Sequence, residues 1–174
     1  EAAGCDVALT GRSAPALAHV ARQVVGAGGR PNERRSDVLD REGMARIGAE
    51  IAEATGRLDI LCNNAGLNIP KRTWAEQDWE SWDAVIDVNV KGALNAIAAV
   101  LPVMRAQDGG VIISTSSWAG RFHSPGGGVP YVASKHALSD LSASLNSEEG
   151  AHGIRACALQ PAEVAPALMT RKPG

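Results

Sequence analysis

The sequence predicts an α/β domain with a doubly wound parallel sheet, covered by helices on both faces in three αβα layers. Three observations support this prediction: short apolar segments alternate with longer helical segments, glycines end the helices, and polar residues follow the apolar segments. Strands separated by helices form β-α-β units, and such units build parallel sheets. A length of 174 residues predicts one domain spanning residues 1–174.

The first half of the chain predicts three strands and two helices. A strand over residues 6–10 leads into a helix over 16–25, for which Ser13 is a suitable N-cap. A weak strand ends near residues 36–38, and Asp40 caps a helix that Gly56 ends. The apolar run 58–62 then predicts a buried strand that leads directly into a polar turn.

The second half predicts a long helix over 78–105, strands over 111–116 and 154–159, and a helix over 131–149. Ligands bind parallel sheets of this kind at the carboxyl ends of the strands. The sequence therefore predicts a site formed by the residues that follow the five strands, which are Gly11-Arg12, Asp37-Val38, Asn63-Asn64-Ala65-Gly66, Ser116-Ser117 and Gln160-Pro161.

Composition excludes several classes of function. The net charge is −2 without a basic run, which argues against nucleic-acid or membrane-surface binding, and no apolar stretch approaches a membrane span. The three cysteines form no C-x-x-C pair, and we expect Cys62 and Cys157 to be buried in a reducing, cytoplasmic protein. No His/Asp/Glu cluster has the spacing of metal ligands, so no metal is expected.

The segment Tyr131-Val132-Ala133-Ser134-Lys135 carries the clearest chemical signal. It places a phenol and an ammonium one helical turn apart, and a nearby ammonium favours the phenolate form of a tyrosine. Such a pair is suited to acid–base chemistry at a carbonyl or alcohol oxygen. By itself, the same spacing also fits an ordinary solvent-exposed pair on a helix.

Four elements in order resemble the short-chain dehydrogenase/reductase family over essentially the whole chain. They are the NNAG turn at residues 63–66, Asn89 in the segment DVNVKG, Ser117 after a strand, and YVASK at 131–135. Each is weak alone, and their order and spacing make the set specific. The resemblance implies a Rossmann-like fold and an NAD(P)-dependent oxidoreductase that interconverts a carbonyl and a secondary alcohol.

The resemblance also implies a role for each catalytic residue. Tyr131 would be the acid/base, Lys135 would support it and hold the nicotinamide ribose, and Ser117 would hydrogen-bond the substrate oxygen. Asn89 would distort its helix and hold a water that relays protons to Lys135. Ser116 competes with Ser117, which is preferred from its spacing to Gly120.

The same resemblance implies a set of cofactor contacts. Family members that prefer NAD carry an acidic residue where this chain has Gly11 followed by Arg12, which favours NADP(H) over NAD(H) because a guanidinium can pair with a 2′-phosphate. Adenine would contact Asp37 and Val38, and nicotinamide would meet the backbone of Val164. The remaining implied contacts come from Asn63, Ala65, Gly66, Tyr131 and Lys135.

The chain departs from the family pattern at both ends. The glycine-rich turn, the first strand, and the last helix and strand have no counterpart in the sequence. In the family's strand order 3-2-1-4-5-6 the first strand is central, so its absence would leave the strands at Val7 and Ile60 without a shared partner. We therefore expect a fragment of a longer enzyme, in which the 174 residues alone neither fold fully nor turn over substrate.

Two other functions fit the same fold. A non-catalytic dinucleotide-binding or regulatory protein would be expected to lack one of the four catalytic residues, whereas all four are present. An epimerase/dehydratase would share Tyr-x-x-x-Lys but not the NNAG turn. The resemblance further implies a homodimer or homotetramer through the long helices, with the face Ala93, Ile97, Val100 and Met104 suited either to a partner copy or to the sheet.

Two aromatic sets are left open by the sequence. Trp74, Trp79 and Trp82 fit either packing at the start of the long helix or a wall of the substrate site, and packing is preferred. Trp118 follows Ser117 directly and fits a lining of the substrate site as well as a surface position. The identity of the carbonyl or alcohol substrate does not follow from these residues.

Overall fold

The computed structural model of the chain describes residues 4–162 as a Rossmann-like α/β fold with parallel strands. The strands are β1 (Asp6–Gly11), β2 (Arg30–Arg35), β3 (Ile60–Asn63), β4 (Gly110–Thr115) and β5 (Ile154–Leu159). The helices are α1 (Ala14–Gly26), α2 (Arg41–Thr55), α3 (Trp79–Ile86), a π-helical turn (Asp87–Lys91), α4 (Gly92–Ala106) and α5 (Val129–Glu149). Short 3-10 turns cover Trp74–Glu76, Trp118–Gly120 and Gly150–His152.

Local sequence signals explain where the first helices begin and end. The Ser13 side chain accepts a hydrogen bond from the Ala16 amide at 3.4 Å, and Asp40 accepts one from the Gly43 amide at 2.9 Å. Gly56 ends α2 with φ of 74°, a left-handed conformation that glycine adopts without steric cost. The predicted caps are therefore confirmed, whereas β2 ends at Arg35 and does not extend to residues 36–38.

The strands form two separate parallel sheets, β1–β2 and β3–β4–β5. Strands β1 and β3 are not hydrogen-bonded to each other in this arrangement. The break between the two sheets agrees with the expectation that the strands at Val7 and Ile60 have no strand between them to pair with. Parallel pairing still places the carboxyl ends of β3, β4 and β5 along one edge, where polar turns follow them.

The core lies between α4, α5 and one face of the three-stranded sheet. Ile97, Val100 and Met104 of α4 pack with Ile112 of β4 and Ile154 of β5. Each fully buried side chain of this size contributes about 2 to 3 kcal/mol by leaving water. The α4 face that the sequence left open between a partner copy and the sheet therefore packs within this chain.

The other face of the three-stranded sheet is open among the described residues. Ile60 and Leu159 on this face are 57% and 53% exposed, and Cys62 and Cys157 are also exposed. The expectation that both cysteines are buried was wrong. Alternation along a strand places them opposite the residues that pack on α4 and α5, so their apolar neighbours in sequence do not determine their burial.

The continuous helical segment Trp79–Ala106 contains an 18-residue stretch with a mean hydropathy of 1.5, so the segment is long and apolar enough, by length and composition only, to cross a membrane. Half of its apolar window is buried inside the protein, as in the core helix of a globular domain. The expectation that no stretch approaches such a length was therefore wrong. Asp87 and Lys91 are charged residues within this apolar stretch. They lie four residues apart on one face of the helix and form an ion pair at 2.5 Å.

Candidate active site

The helix α5 brings Tyr131 and Lys135 to the carboxyl edge of the sheet. Pro130 lies in the first turn of α5. Amides at this position have no partner within the helix, so a proline, which lacks the amide hydrogen, costs no hydrogen bond there. The Lys135 Nζ atom lies 5.5 Å from the centre of the Tyr131 ring, so the ammonium faces the phenol one turn away. Lys135 also donates a hydrogen bond to the carbonyl of Thr115 at 2.7 Å, which fixes its side chain at the end of β4.

Burial changes the acid–base behaviour of Lys135. The residue is 5% exposed, and the loss of hydration lowers its pKa from 10.5 to about 8. Near neutral pH most of this side chain remains protonated, and a small change in surroundings shifts the balance. The ammonium beside Tyr131 is therefore present at physiological pH and easily titrated.

Asn89 occupies the π-helical turn between α3 and α4 and is fully buried. In this turn the Gly92 amide bonds to the Asp87 carbonyl, five residues back, in place of the usual four. The helix is thus distorted at Asn89, as the resemblance implied. The Asn89 side chain accepts from the Leu67 amide at 2.8 Å and donates to the Leu67 carbonyl at 3.0 Å.

A third bond joins Asn89 to the catalytic helix through a residue that the sequence did not single out. The Asn89 amide donates to Ser134 Oγ at 2.9 Å, and Ser134 Oγ donates to the Tyr131 carbonyl at 2.7 Å. With these bonds the Asn89 side chain has used its carbonyl oxygen and both amide hydrogens. The water-relay role implied for Asn89 remains a prediction, and its side chain serves as a fixed link between three segments.

The two adjacent serines differ sharply in their surroundings. Ser116 is 2% exposed and donates its hydroxyl to the Lys135 carbonyl at 2.7 Å. Ser117 is half-buried, and its Oγ accepts a hydrogen bond from the Ala119 amide at 3.1 Å. Within residues 4–162 this oxygen donates no hydrogen bond, so its proton is available to a ligand. The Ser116 hydroxyl is thus committed to α5, and the assignment of Ser117 as the catalytic serine stays a prediction.

The NNAG turn contributes in two different ways. Asn63 is buried and donates to the Ala93 carbonyl at 3.2 Å, which attaches the end of β3 to α4. Ala65 and Gly66 are exposed, and a Cβ added to Gly66 would lie 3.4 Å from Lys135 Nζ. Gly66 thus keeps open the space beside the lysine ammonium, at the position where the resemblance puts the cofactor ribose.

A second group lies at the ends of β1 and β2. The Arg12 guanidinium is 3.9 Å from the Asp37 carboxylate, and both side chains reach solvent. Arg35 donates to the Arg12 carbonyl at 3.2 Å, which braces the turn after β1. Val38 packs against Gly92, where an added Cβ would come within 2.6 Å of its methyl group. Arg12 thus contacts Asp37 and Arg35 at this end of the two-stranded sheet. Val164, the contact implied for nicotinamide, lies outside the described residues.

Several other side chains fall outside the site. Trp82 is buried, donates to the Lys71 carbonyl at 2.9 Å and packs edge-on against Trp74 and Trp79, so these tryptophans pack together. His136 is exposed and bonds back to the Val132 carbonyl on its own helix. Within residues 4–162, no group of three or more His, Cys, Asp or Glu side chains is placed to hold a metal ion.

Sequence reasoning missed two members of the site, Thr115 and Ser134. Thr115 contributes a main-chain carbonyl, which every residue carries, so the sequence contains no signal for it. Ser134 did carry a signal, because a serine three residues after Tyr131 on a helix lies on nearly the same face. Its polar side chain inside a buried turn requires a partner, and Asn89 supplies one.

Comparison with known proteins gives consistent similarities. The family described as short chain dehydrogenase matches residues 1–173. An uncharacterized oxidoreductase of Listeria innocua is 36% identical over 165 residues, which cover 92% of this chain and 65% of the relative. An uncharacterized NAD-dependent oxidoreductase of Mycobacterium tuberculosis is 39% identical over 149 residues, which cover 85% of this chain and 54% of the relative.

Solved structures show the same similarity. A short-chain oxidoreductase from a metagenome, solved in complex with NADP, superposes with a TM-score of 0.82 at 33% identity. The match covers 91% of this chain and 72% of that protein. The chain thus spans 54% to 72% of the length of these three proteins, of which one is described as NAD-dependent and one was solved with NADP.

Proposed function

Because the chain belongs to the short-chain dehydrogenase family, we propose that it is an NAD(P)-dependent oxidoreductase that interconverts a carbonyl and a secondary alcohol. The observation that supports this most directly is that Lys135 lies beside the Tyr131 ring, bonds to the end of β4 two residues before Ser117, and shares its helix with Ser134, the hydrogen-bond partner of Asn89. Three different elements supply these side chains, so their arrangement is a property of the fold. The activity proposed here is that of the whole protein.

The chemistry of the proposed reaction divides between cofactor and protein. A nicotinamide dinucleotide, when bound, exchanges a hydride with the substrate carbon. Tyr131 donates its phenolic proton to the substrate oxygen as a carbonyl is reduced, and accepts a proton in the reverse direction. Ser117 donates a hydrogen bond to the same oxygen, where negative charge develops, and the Lys135 ammonium beside Tyr131 stabilises the phenolate left behind.

The residues around Lys135 fit the ribose of such a cofactor. An ammonium has three N–H groups, and among residues 4–162 its hydrogen-bond acceptor is Thr115 O, so two N–H groups are available for ribose hydroxyls. The absence of a side chain at Gly66 leaves room beside them. Lys135 would hold the ribose there, and Arg12 and Asp37 lie at the implied adenosine end.

We propose NADP(H) as the preferred cofactor, with NAD(H) as the alternative. Arg12 is largely exposed, and in the described part of the chain the carboxylate paired with it is that of Asp37, at a distance of 3.9 Å. A contact of this length is weak, so the guanidinium can turn toward a 2′-phosphate without losing a strong bond. The relatives support both cofactors and do not decide between them.

We expect a cytoplasmic enzyme that forms a homodimer or homotetramer, with no nucleic-acid or membrane partner. Since Ile97, Val100 and Met104 pack on the sheet, a contact between copies through α4 has to use its other side, where Leu94 is 44% exposed.

The test is a turnover assay of the full-length protein that follows NADPH absorbance with a panel of ketones. Turnover by the wild type, together with its loss in Tyr131→Phe, is the expected result, because phenylalanine keeps the ring and removes the transferable proton. NADPH titration should give similar affinity for both proteins. Substantial turnover by Tyr131→Phe would overturn the acid/base assignment, and NADPH binding without wild-type turnover of any ketone or alcohol would favour a regulatory dinucleotide-binding protein.

A further inference from the structure

We infer that Trp118 and Phe122 form an aromatic platform that selects substrates carrying a bulky apolar group next to the reacting carbonyl. This inference rests on the proposed function, because it assigns the substrate class of that same site. Trp118 follows Ser117 directly in the chain, and Phe122 lies one turn further on. The aromatic platform is thus attached to the residue proposed to bind the substrate oxygen.

The geometry of the pair is that of an open binding surface. The two ring centroids are 4.9 Å apart and the ring planes are inclined by 35°, so the rings contact each other in a tilted arrangement. Trp118 is 48% exposed and Phe122 is 46% exposed. Arg121 lies over the Phe122 ring at 5.6 Å from its centroid, so one ring has a cation beside it.

The backbone beneath the aromatic platform is held firmly. Ala119 and Gly120 are buried, and a Cβ on Gly120 would lie 2.5 Å from the Lys135 carbonyl oxygen. The Gly120 carbonyl accepts a hydrogen bond from Ser139 on α5 at 3.1 Å. The inner side of this turn is therefore fixed against the catalytic helix, and the two rings project from a rigid base.

This combination distinguishes the pair from ordinary surface residues. The chain has six aromatic residues in total, namely four tryptophans, one tyrosine and one phenylalanine. Of these, Trp74 and Trp79 pack on the buried ring of Trp82, whereas Trp118 and Phe122 pack on each other. Two large apolar rings exposed together beside a polar reacting group are typical of a ligand site, which needs apolar walls and a few placed polar atoms.

The chemistry of these rings defines the substrate class. Contact between these rings and an apolar part of a substrate removes apolar surface from water, which makes the free energy of binding more favourable. The rings offer no hydrogen-bond acceptor to a polar substituent of the substrate. A ketone with a flat ring or branched hydrocarbon beside the carbonyl would bring that group to the rings when its oxygen binds Ser117, because Trp118 is the next residue in the chain. A small ketone reaches the same polar atoms without covering the rings, so it should be a poorer substrate.

The experiment compares acetophenone with butan-2-one in the full-length protein and NADPH. We expect the wild type to favour acetophenone at least ten-fold in kcat/KM, and Trp118→Ala to remove most of that preference by lowering kcat/KM for acetophenone. Trp118→Phe should retain most of it. Trp79→Ala is the matched control, since Trp79 is another exposed tryptophan at 60%, and it should leave the ratio unchanged.

Each other outcome has a definite meaning. A wild type that reduces both ketones without preferring acetophenone, or an unchanged ratio in Trp118→Ala, would overturn the inference while leaving the proposed function intact. If the wild type reduces neither ketone, the proposed function fails for these two substrates. The inference about the aromatic platform is then tested by measuring whether acetophenone binds to it. Acetophenone should then quench emission in the wild type more than in Trp118→Phe, and equal quenching would overturn the aromatic platform.

Discussion

The amide of Asn89 donates a hydrogen bond to Ser134 Oγ at 2.9 Å, and this bond links the π-helical turn to the catalytic helix. Ser134 passes the link on to the Tyr131 carbonyl at 2.7 Å. The position of the proposed acid/base group therefore depends on a buried serine that does not itself reach the substrate oxygen. Buried polar links of this kind are stabilising only when every member is satisfied.

Replacement of Ser134 by alanine should destabilise the protein. It would leave an amide hydrogen of Asn89 without its acceptor in a site that is closed to water, at a cost of about 1 to 3 kcal/mol. Urea unfolding of the full-length protein measures this change. Ser144→Ala is the matched control on the same helix, because Ser144 is exposed and bonds only to Glu148 among the described residues; equal stability of the two variants would contradict the prediction.

Replacement of the two adjacent serines should separate catalysis from stability. Ser117→Ala removes the donor proposed for the substrate oxygen and should lower kcat about 100-fold, with little change in the melting temperature. Ser116→Ala removes a buried hydroxyl that bonds to α5 and should cost about 1 kcal/mol of stability, while kcat changes only a few-fold. Steady-state kinetics and thermal unfolding of both variants provide the comparison.

The opposite pattern would assign the catalytic role to Ser116. In that case Ser116→Ala would lose turnover while retaining its unfolding midpoint, and Ser117→Ala would be nearly as active as the wild type. Ser117→Thr serves as a further check, because threonine keeps the hydroxyl and should retain much more activity than alanine.

The buried Lys135 should make stability depend on alkaline pH. Its pKa is about 8 in the folded protein and 10.5 ordinarily, so between these values the unfolded chain binds more protons than the folded one. Below pH 8 Lys135 is charged in the folded protein, and the free-energy cost of burying that charge lowers stability by its full amount. As the pH increases from about 8 toward 10.5 the folded protein loses this proton first, so the free energy of unfolding rises. Removal of the charge in Lys135→Met should abolish a rise of up to about 3 kcal/mol.

The measurement is chemical unfolding of wild type and variant at pH 7, 8, 9 and 10. Other titrating groups are common to both proteins and cancel in the difference. Lys91→Met is the control, because the Asp87 carboxylate raises the pKa of Lys91 and this side chain stays protonated over the same window. A wild-type stability that falls from pH 8 to 10 relative to Lys135→Met would contradict the assigned direction.

Replacement of Arg12 by alanine should change the preference between cofactors. Loss of the guanidinium should weaken NADPH binding about ten-fold, or about 1.4 kcal/mol, because the 2′-phosphate loses its partner. NADH lacks this phosphate and should bind nearly as before. Fluorescence titration of both cofactors tests this, with the exposed Arg22 of α1 replaced as a control; a matched loss for NADH would remove the proposed role.

Much of the fold was predictable from local signals. The α2 helix begins after Asp40 and ends at Gly56 as predicted, because a capping carboxylate and a left-handed glycine act within a few residues of the chain. The strand after residue 29 was poorly predicted, since its segment Arg-Pro-Asn-Glu-Arg-Arg has almost no apolar pattern. Pairing with β1, and not its own composition, makes this segment a strand.

The candidate site was predictable as a set of residues but not as a set of contacts. The order of the NNAG turn, Asn89, Ser117 and Tyr131-x-x-x-Lys135 selected the residues, and the fold brings them to one edge. The Thr115 carbonyl could not be selected, because a backbone atom leaves no mark in the sequence. The exposure of Cys62 was also hidden, since it depends on which face of the sheet is covered.

The sequence by itself determined the family, the alternation of strands and helices, and the residue types available at the strand ends. These are properties of short stretches and their order, so they can be recognised without coordinates. Only the tertiary structure decided that Ser116 is committed to α5, that Ser134 connects Asn89 to Tyr131, and that Lys135 is buried. Burial and hydrogen bonding join residues far apart in the chain, and they exist only once the helices have packed on the sheet.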